Sequence, residues 1–78
     1  MFKKTLKVII TFSSTSESLK MEKICRKNGI KGRLIPVPRE ISAGCGMAWS
    51  SEVDLKDELL KIIDNNNIKI EKMYELMK

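Results

Sequence analysis

Histidine is absent from this 78-residue chain, and cysteine occurs only twice, as Cys25 and Cys45. Without an imidazole there is no Ser–His or Cys–His pair, so any nucleophile must be activated by charge or by backbone N–H groups. Two thiols without histidine cannot complete a four-ligand structural zinc site in one chain. We therefore expect neither a metal nor a cofactor. Two cysteines are also too few for the dense disulfide pattern of small secreted domains.

Long apolar runs are also missing. The run near the N-terminus covers only residues 8–10, after the basic residues Lys3, Lys4 and Lys7. It is too short for the apolar region of a signal peptide or for a membrane span. We expect a cytoplasmic protein with no membrane partner. We also expect a single domain over residues 1–78, because this length supports one small core.

Positive charge is concentrated in the first half of the chain. Residues 1–40 contain ten Lys or Arg against three acidic residues, net +7, whereas residues 41–78 contain five against seven, net −2. Six cations fall between positions 20 and 33: Lys20, Lys23, Arg26, Lys27, Lys31 and Arg33. They form either a solvated helix surface or a docking face for an acidic protein or RNA. The four aromatic residues are scattered without a stacking pair, so we do not expect nucleic acid as the partner.

The hydrophobic pattern predicts four strands and two helices. The predicted strands cover residues 5–12, 31–37, 47–50 and 68–76. Ser14 and Glu17 have the spacing of a capping box, which predicts the start of the first helix, and Asn28-Gly29 predicts its end. Ser51 with Asp54 is a weaker cap that predicts the start of the second helix.

The resulting order, βαββαβ, predicts an α+β protein with the ferredoxin-like fold. Right-handed crossovers would give a four-stranded antiparallel sheet, in the order 4-1-3-2, with two helices on one face. In this topology the start of the first helix lies at the same end of the sheet as the loop between strands 2 and 3. Residues 13–16 and Cys45 should therefore meet, although they are far apart in sequence.

Cys45 is the candidate reactive residue. It lies between Gly44 and Gly46 and six positions after Arg39. Such small neighbours cannot bury a thiol by themselves, and a nearby cation or helix N-terminus favours the nucleophilic thiolate. The alternative is that Cys45 is only a small residue in a tight turn. Cys25 falls on the apolar stripe of the first helix, where we expect it to be a core residue.

The string Val37-Pro38-Arg39-Glu40-Ile41-Ser42-x-x-Cys45-Gly46, with the earlier Thr11-Phe12-Ser13-Ser14-Thr15, resembles the putative selenium/sulfur carrier protein-like family of short bacterial domains. The resemblance covers nearly the whole chain. It implies that Cys45 is the family's cysteine and that Gly46, Arg39 and the Ser14-Thr15 turn belong to the same site. We add Gly44 and Ser42 as supporting residues because they flank the thiol in the same loop.

Two functions follow from different classes of protein. The resemblance implies a carrier, in which Cys45 forms a persulfide or selenopersulfide with sulfur or selenium from a donor protein and passes it to an acceptor protein. The alternative is a small regulatory or interaction module, in which the 37–46 loop binds an anionic ligand or a partner. The proposed site has no histidine or carboxylate pair, so a carrier or accessory protein is favoured over a stand-alone enzyme.

The last predicted strand is a candidate surface for homodimer formation. In the order 4-1-3-2 it is an edge strand, and it contains no proline that would block pairing. Tyr74, Leu76 and Met77 would leave apolar surface near its end.

Overall fold

The computed structural model describes residues 5–41 and 44–77. Its elements are β1 (Leu6–Thr11), α1 (Thr15–Lys27), β2 (Arg33–Pro36), β3 (Met47–Glu52), a 3-10 turn (Val53–Leu55), α2 (Lys56–Asn65) and β4 (Lys72–Met77). The strands form one four-stranded sheet in the order β2-β3-β1-β4, and every pair is antiparallel. The predicted α+β fold and strand order are confirmed.

The side chains of β1 that share one face of the sheet show where the helices pack. Val8, Ile10 and Phe12 are fully buried within one cluster. α1 contributes Met21 and Cys25 to this cluster, and α2 contributes Leu59. Both helices therefore pack on the same face of the sheet, as the right-handed crossovers predicted. Each fully buried aliphatic side chain contributes about 1.5–3 kcal/mol through removal of apolar surface from water.

The N-terminus of α1 is capped, but only half of the predicted capping box forms. The Ser14 hydroxyl accepts a hydrogen bond from the Glu17 N–H at 3.4 Å. The Glu17 carboxylate does not return to Ser14; it accepts from the Lys69 N–H at 2.8 Å. Glu17 therefore ties the first turn of α1 to the segment that leads into β4.

Both helices end in the same way. Ile30 donates its N–H to the Cys25 carbonyl at 2.9 Å, and Ile68 donates to the Ile63 carbonyl at 3.0 Å. The residue before each isoleucine has a left-handed backbone, with φ of +70° at Gly29 and +51° at Asn67. These are Schellman caps, in which the left-handed residue lets the chain turn back and satisfy the last carbonyls.

Two predicted boundaries are wrong. Ser51 does not cap α2; it is a buried residue of β3, and α2 begins at Lys56 after the 3-10 turn. The fourth strand begins at Lys72 and not at residue 68, because Ile68 is part of the α2 cap and is buried in the core.

Candidate functional site

The loop between β2 and β3 contacts the start of α1. At Gly44 a Cβ would lie 3.2 Å from the Ser13 carbonyl oxygen and 3.6 Å from the Ser13 Cα. The two segments thus pack backbone against backbone, and the absence of a side chain at Gly44 permits the approach. The predicted meeting of residues 13–16 with the cysteine loop is confirmed at this contact.

Two hydrogen bonds shape the loop. Val37 donates its N–H to the Gly46 carbonyl at 3.0 Å, which continues the β2–β3 pairing beyond Pro36. Ile41 donates to the Pro38 carbonyl at 3.1 Å and closes a turn. Gly46 has φ of +76° and open space around the Cβ position. It is needed there for its backbone conformation and not for room, since left-handed φ values are costly for other residues.

The Cys45 side chain is partly buried and packs against the edge of the core cluster. Its thiol donates a hydrogen bond from Sγ to the Met47 carbonyl oxygen at 3.3 Å. A thiolate has no proton to donate, so this hydrogen bond belongs to the protonated thiol. The Met47 carbonyl is a part of the site that the sequence did not reveal, because no side-chain pattern marks it.

The Ser14-Thr15 turn is exposed beside the loop. The Ser14 hydroxyl is already used as the helix cap. As in any α-helix, the first N–H groups of α1, those of Thr15 and Ser16, have no intrahelical acceptor. The positive end of the helix dipole lies at the same place. This end of the molecule can therefore stabilise negative charge close to the cysteine loop.

The remaining predicted site residues are not all brought together. Arg39 is exposed in the turn closed by Ile41, and no hydrogen bond or ion pair joins it to another residue in the described part of the chain. Its supporting role stays a prediction. Ser42 lies outside the described residues.

The second cysteine has a different environment. Cys25 is fully buried in the core, as predicted, and burial raises its pKa to about 11. A thiol of this kind is protonated and shielded at neutral pH, so it is inert towards reagents in solution. Within residues 5–41 and 44–77, no group of three or more Cys, Asp or Glu side chains is placed to hold a metal ion. No helix among the same residues is long and apolar enough to span a bilayer.

Together, the fold and the loop define a class of protein: a small α+β domain whose cysteine-containing loop packs beside the N-terminus of its first helix. The family model described as "Putative Se/S carrier protein-like" matches residues 7–75, and the chain belongs to this family. The match covers both helices and all four strands, apart from the first residue of β1 and the last two residues of β4. No curated protein matches the chain, and no solved structure matches it.

Proposed function

We propose that this protein carries sulfane sulfur or selenium on Cys45. The observation that carries the proposal is the packing of the Cys45 loop against the N-terminus of α1, in a chain that belongs to a selenium/sulfur carrier-like family. Carriage of sulfur by thiol exchange requires an accessible thiolate and no metal, cofactor or imidazole base. The composition of the chain is compatible with that requirement.

Loading would proceed by exchange with a donor persulfide. The Cys45 thiol loses its proton to solvent, and the thiolate attacks the terminal sulfur of the donor. The sulfur–sulfur bond of the donor breaks, the donor cysteine leaves as a thiolate, and Cys45 holds the persulfide. A nucleophile of the acceptor then attacks the terminal sulfur, and the Cys45 thiolate leaves. Selenium follows the same route, and no net oxidation or reduction occurs.

Two features of the site support these steps. Loss of the hydrogen bond to Met47 accompanies ionisation and frees Sγ for attack. The terminal sulfur of a persulfide is anionic near neutral pH. The N–H groups of Thr15 and Ser16, which have no acceptor within α1, favour an anion at this position. We propose that Arg39, which projects from the same loop, adds positive charge for the approaching donor. A reducing compartment such as the cytoplasm would keep the empty thiol free.

The test is intact-mass spectrometry after incubation with glutathione persulfide and removal of excess reagent. We expect the wild type and Cys25→Ser to gain the mass of one sulfur atom, and Cys45→Ser to gain none. Cyanide should then remove the added sulfur as thiocyanate. An unchanged mass for the wild type, or an adduct that survives in Cys45→Ser, would refute the carrier role of Cys45.

A second candidate is an interaction module that binds an anionic ligand in the 37–46 loop. The observation in its favour is that Cys45 is partly buried and engaged as a hydrogen-bond donor, so that the exposed Arg39 is the more accessible group. Titration with sulfate, followed by NMR, separates the two functions. Shifts at residues 13–16 and 44–46, together with no sulfur adduct, would favour the module.

We propose a protein partner for each transfer step, a donor and an acceptor, and self-association through β4. Leu6 and Met77 are paired at the end of β1 and β4, and their side chains are 37% and 57% exposed. In the described part of the chain, β4 pairs only with β1. Sedimentation should show a dimer that Met77→Lys weakens; a monomer at high micromolar concentration would contradict the proposed self-association.

A further inference from the structure

A basic groove lies at the far end of α1 from the cysteine loop. It has a volume of about 330 Å³ and runs between the second half of α1 and the start of β2. Arg26, Lys31 and Arg33 line it with positive charge, and Glu22 is the one acidic residue among the described residues that line it. Part of the positive charge of residues 1–40 therefore lies on a concave surface.

The acidic residue of the groove is already paired. Glu22 lies 3.5 Å from the Arg26 guanidinium, one helical turn away on α1. Lys31 and Arg33 are exposed, and neither forms an ion pair with a described residue. These two cations, on either side of Gly32, are the positive charges that remain for a ligand.

The wall that carries these cations is held rigidly. The Trp49 indole donates from Nε1 to the Ser51 hydroxyl at 2.7 Å, and that hydroxyl donates to the Lys31 carbonyl at 2.8 Å. A Cβ at Gly32 would lie only 2.6 Å from the Trp49 ring and 2.3 Å from Ser51 Oγ. The backbone at 31–33 is thus pressed onto β3, so that little backbone entropy is lost when a ligand binds the side chains of Lys31 and Arg33.

The groove is separate from the cysteine loop. Arg26 is eleven residues beyond Thr15 on α1 (26 − 15), which corresponds to about 16 Å along the helix axis. Gly44 packs at the other end, against Ser13. An occupant of the groove would therefore leave Cys45 uncovered.

We propose that this groove binds an acidic segment of a partner protein, with carboxylates on Lys31 and Arg33 and an apolar side chain against Ile30. Charge complementarity supports this occupant, since opposite charges at an interface steer and orient association. Nucleic acid fits less well: Trp49 is only 2% exposed and offers no face for base stacking. The proposal does not depend on sulfur or selenium chemistry at Cys45.

The test is an NMR titration of the ¹⁵N-labelled protein with a short peptide of glutamates that contains one central leucine. We expect the amides of residues 30–33 and the Trp49 indole N–H to shift, with binding that weakens as salt is raised. Lys31→Ala and Arg33→Ala should each weaken binding by about two- to fivefold, the usual range for an exposed ion pair. Arg33→Glu should weaken it further.

Two matched controls locate the binding site. Lys61→Ala removes an exposed cation from α2, and Arg39→Ala removes one from the cysteine loop; neither should change the affinity. A peptide in which glutamine replaces glutamate should not bind. The proposal is overturned if Lys61→Ala weakens binding as much as Arg33→Ala, or if the shifts fall at residues 13–16 and 44–46. It is also overturned if a single-stranded RNA of equal charge shifts the groove signals at lower concentration, which would identify nucleic acid as the occupant.

Discussion

Selective alkylation of the two cysteines is the most direct test of the site. In the native protein at neutral pH, iodoacetamide should modify Cys45 faster than Cys25 by at least about 100-fold. Burial protects Cys25 in two ways. Its pKa is raised to about 11 from an ordinary value of 9.0, which lowers the thiolate fraction about 100-fold at neutral pH. Its side chain is also fully buried, so the reagent cannot reach it in the folded state.

The expected difference between the two alkylation rates follows from the free energy needed to expose each thiol. Cys25 can react only when the core opens, and a global stability of about 5 kcal/mol corresponds to an open fraction of roughly 2 × 10⁻⁴. Cys45 needs only to break its hydrogen bond to Met47 and turn outward, which costs about 1 kcal/mol. Even with some steric protection of Cys45, the free energy needed to expose Cys25 exceeds that needed to expose Cys45 by several kcal/mol.

The assay is peptide mass mapping after timed quenching, with the same reaction in denaturant as the control. In denaturant the two rates should become similar, because both effects that protect Cys25 disappear. Arg39→Ala should slow Cys45 by about twofold if the guanidinium supports the thiolate through solvent, whereas Arg26→Ala at the far end of α1 should not. Similar rates for the two cysteines in the native protein, or faster reaction of Cys25, would refute the assignment of Cys45 as the accessible thiol.

Other expectations concern stability. Burial raises the pKa of Cys25 to about 11, so above pH 9 the unfolded chain loses its thiol proton first. The free energy of unfolding should then fall between pH 9 and pH 11, by on the order of 2 kcal/mol more in the wild type than in Cys25→Ala. Urea titrations of both proteins at a series of pH values measure this difference. Ser14→Ala should lower the free energy of unfolding by about 1 kcal/mol through loss of the α1 cap; an unchanged urea midpoint would contradict the cap. Gly32→Ala should cost about 3 kcal/mol or more, because its Cβ would overlap the Trp49 ring. A Cβ at Gly29 would meet no atom within 4 Å, but the backbone there is left-handed. Gly29→Ala should therefore lower the free energy of unfolding by only about 1 kcal/mol. Equal losses for the two glycine variants would contradict the close packing at Gly32.

The roles of the groove and the cysteine loop can be separated by combining these variants. Arg33→Ala should leave sulfur loading of Cys45 from a small persulfide unchanged, since the groove lies at the other end of α1. If a protein donor docks through the groove, the same variant should slow loading from that donor only. Intact-mass kinetics with the two kinds of donor would distinguish a docking role from a role in the exchange itself.

Much of the fold was predictable because its signals are local. The β-branched, apolar run of β1, the cap at Ser14 and the stop at Asn28-Gly29 are each encoded within a few residues. The order of strands and helices then limits the topology, since right-handed crossovers place both helices on one face. The predicted neighbourhood of Cys45 and the 13–16 turn followed from that topology alone.

The predictions that were wrong concern side chains whose hydrogen-bond partners are distant in sequence. Ser51 resembles a helix cap, but its hydroxyl is bonded to Trp49 and to the Lys31 carbonyl across the sheet. Glu17 has the spacing of a capping box, yet its carboxylate bonds to Lys69 near β4. In both cases a hydrogen bond to a residue distant in sequence, Lys31 for Ser51 and Lys69 for Glu17, replaces the local one. No short sequence window contains both of these partners.

The same division applies to the candidate site. The sequence alone predicted the thiol and its glycines and indicated the family, because these form one short motif around Cys45. Only the tertiary structure decided that Gly44 packs on Ser13, that the thiol donates to the Met47 carbonyl, and that Lys31 and Arg33 share a groove with Arg26. Those facts depend on where the backbone of one element passes another. Backbone atoms are the same at every position, so the sequence carries no direct mark of such contacts.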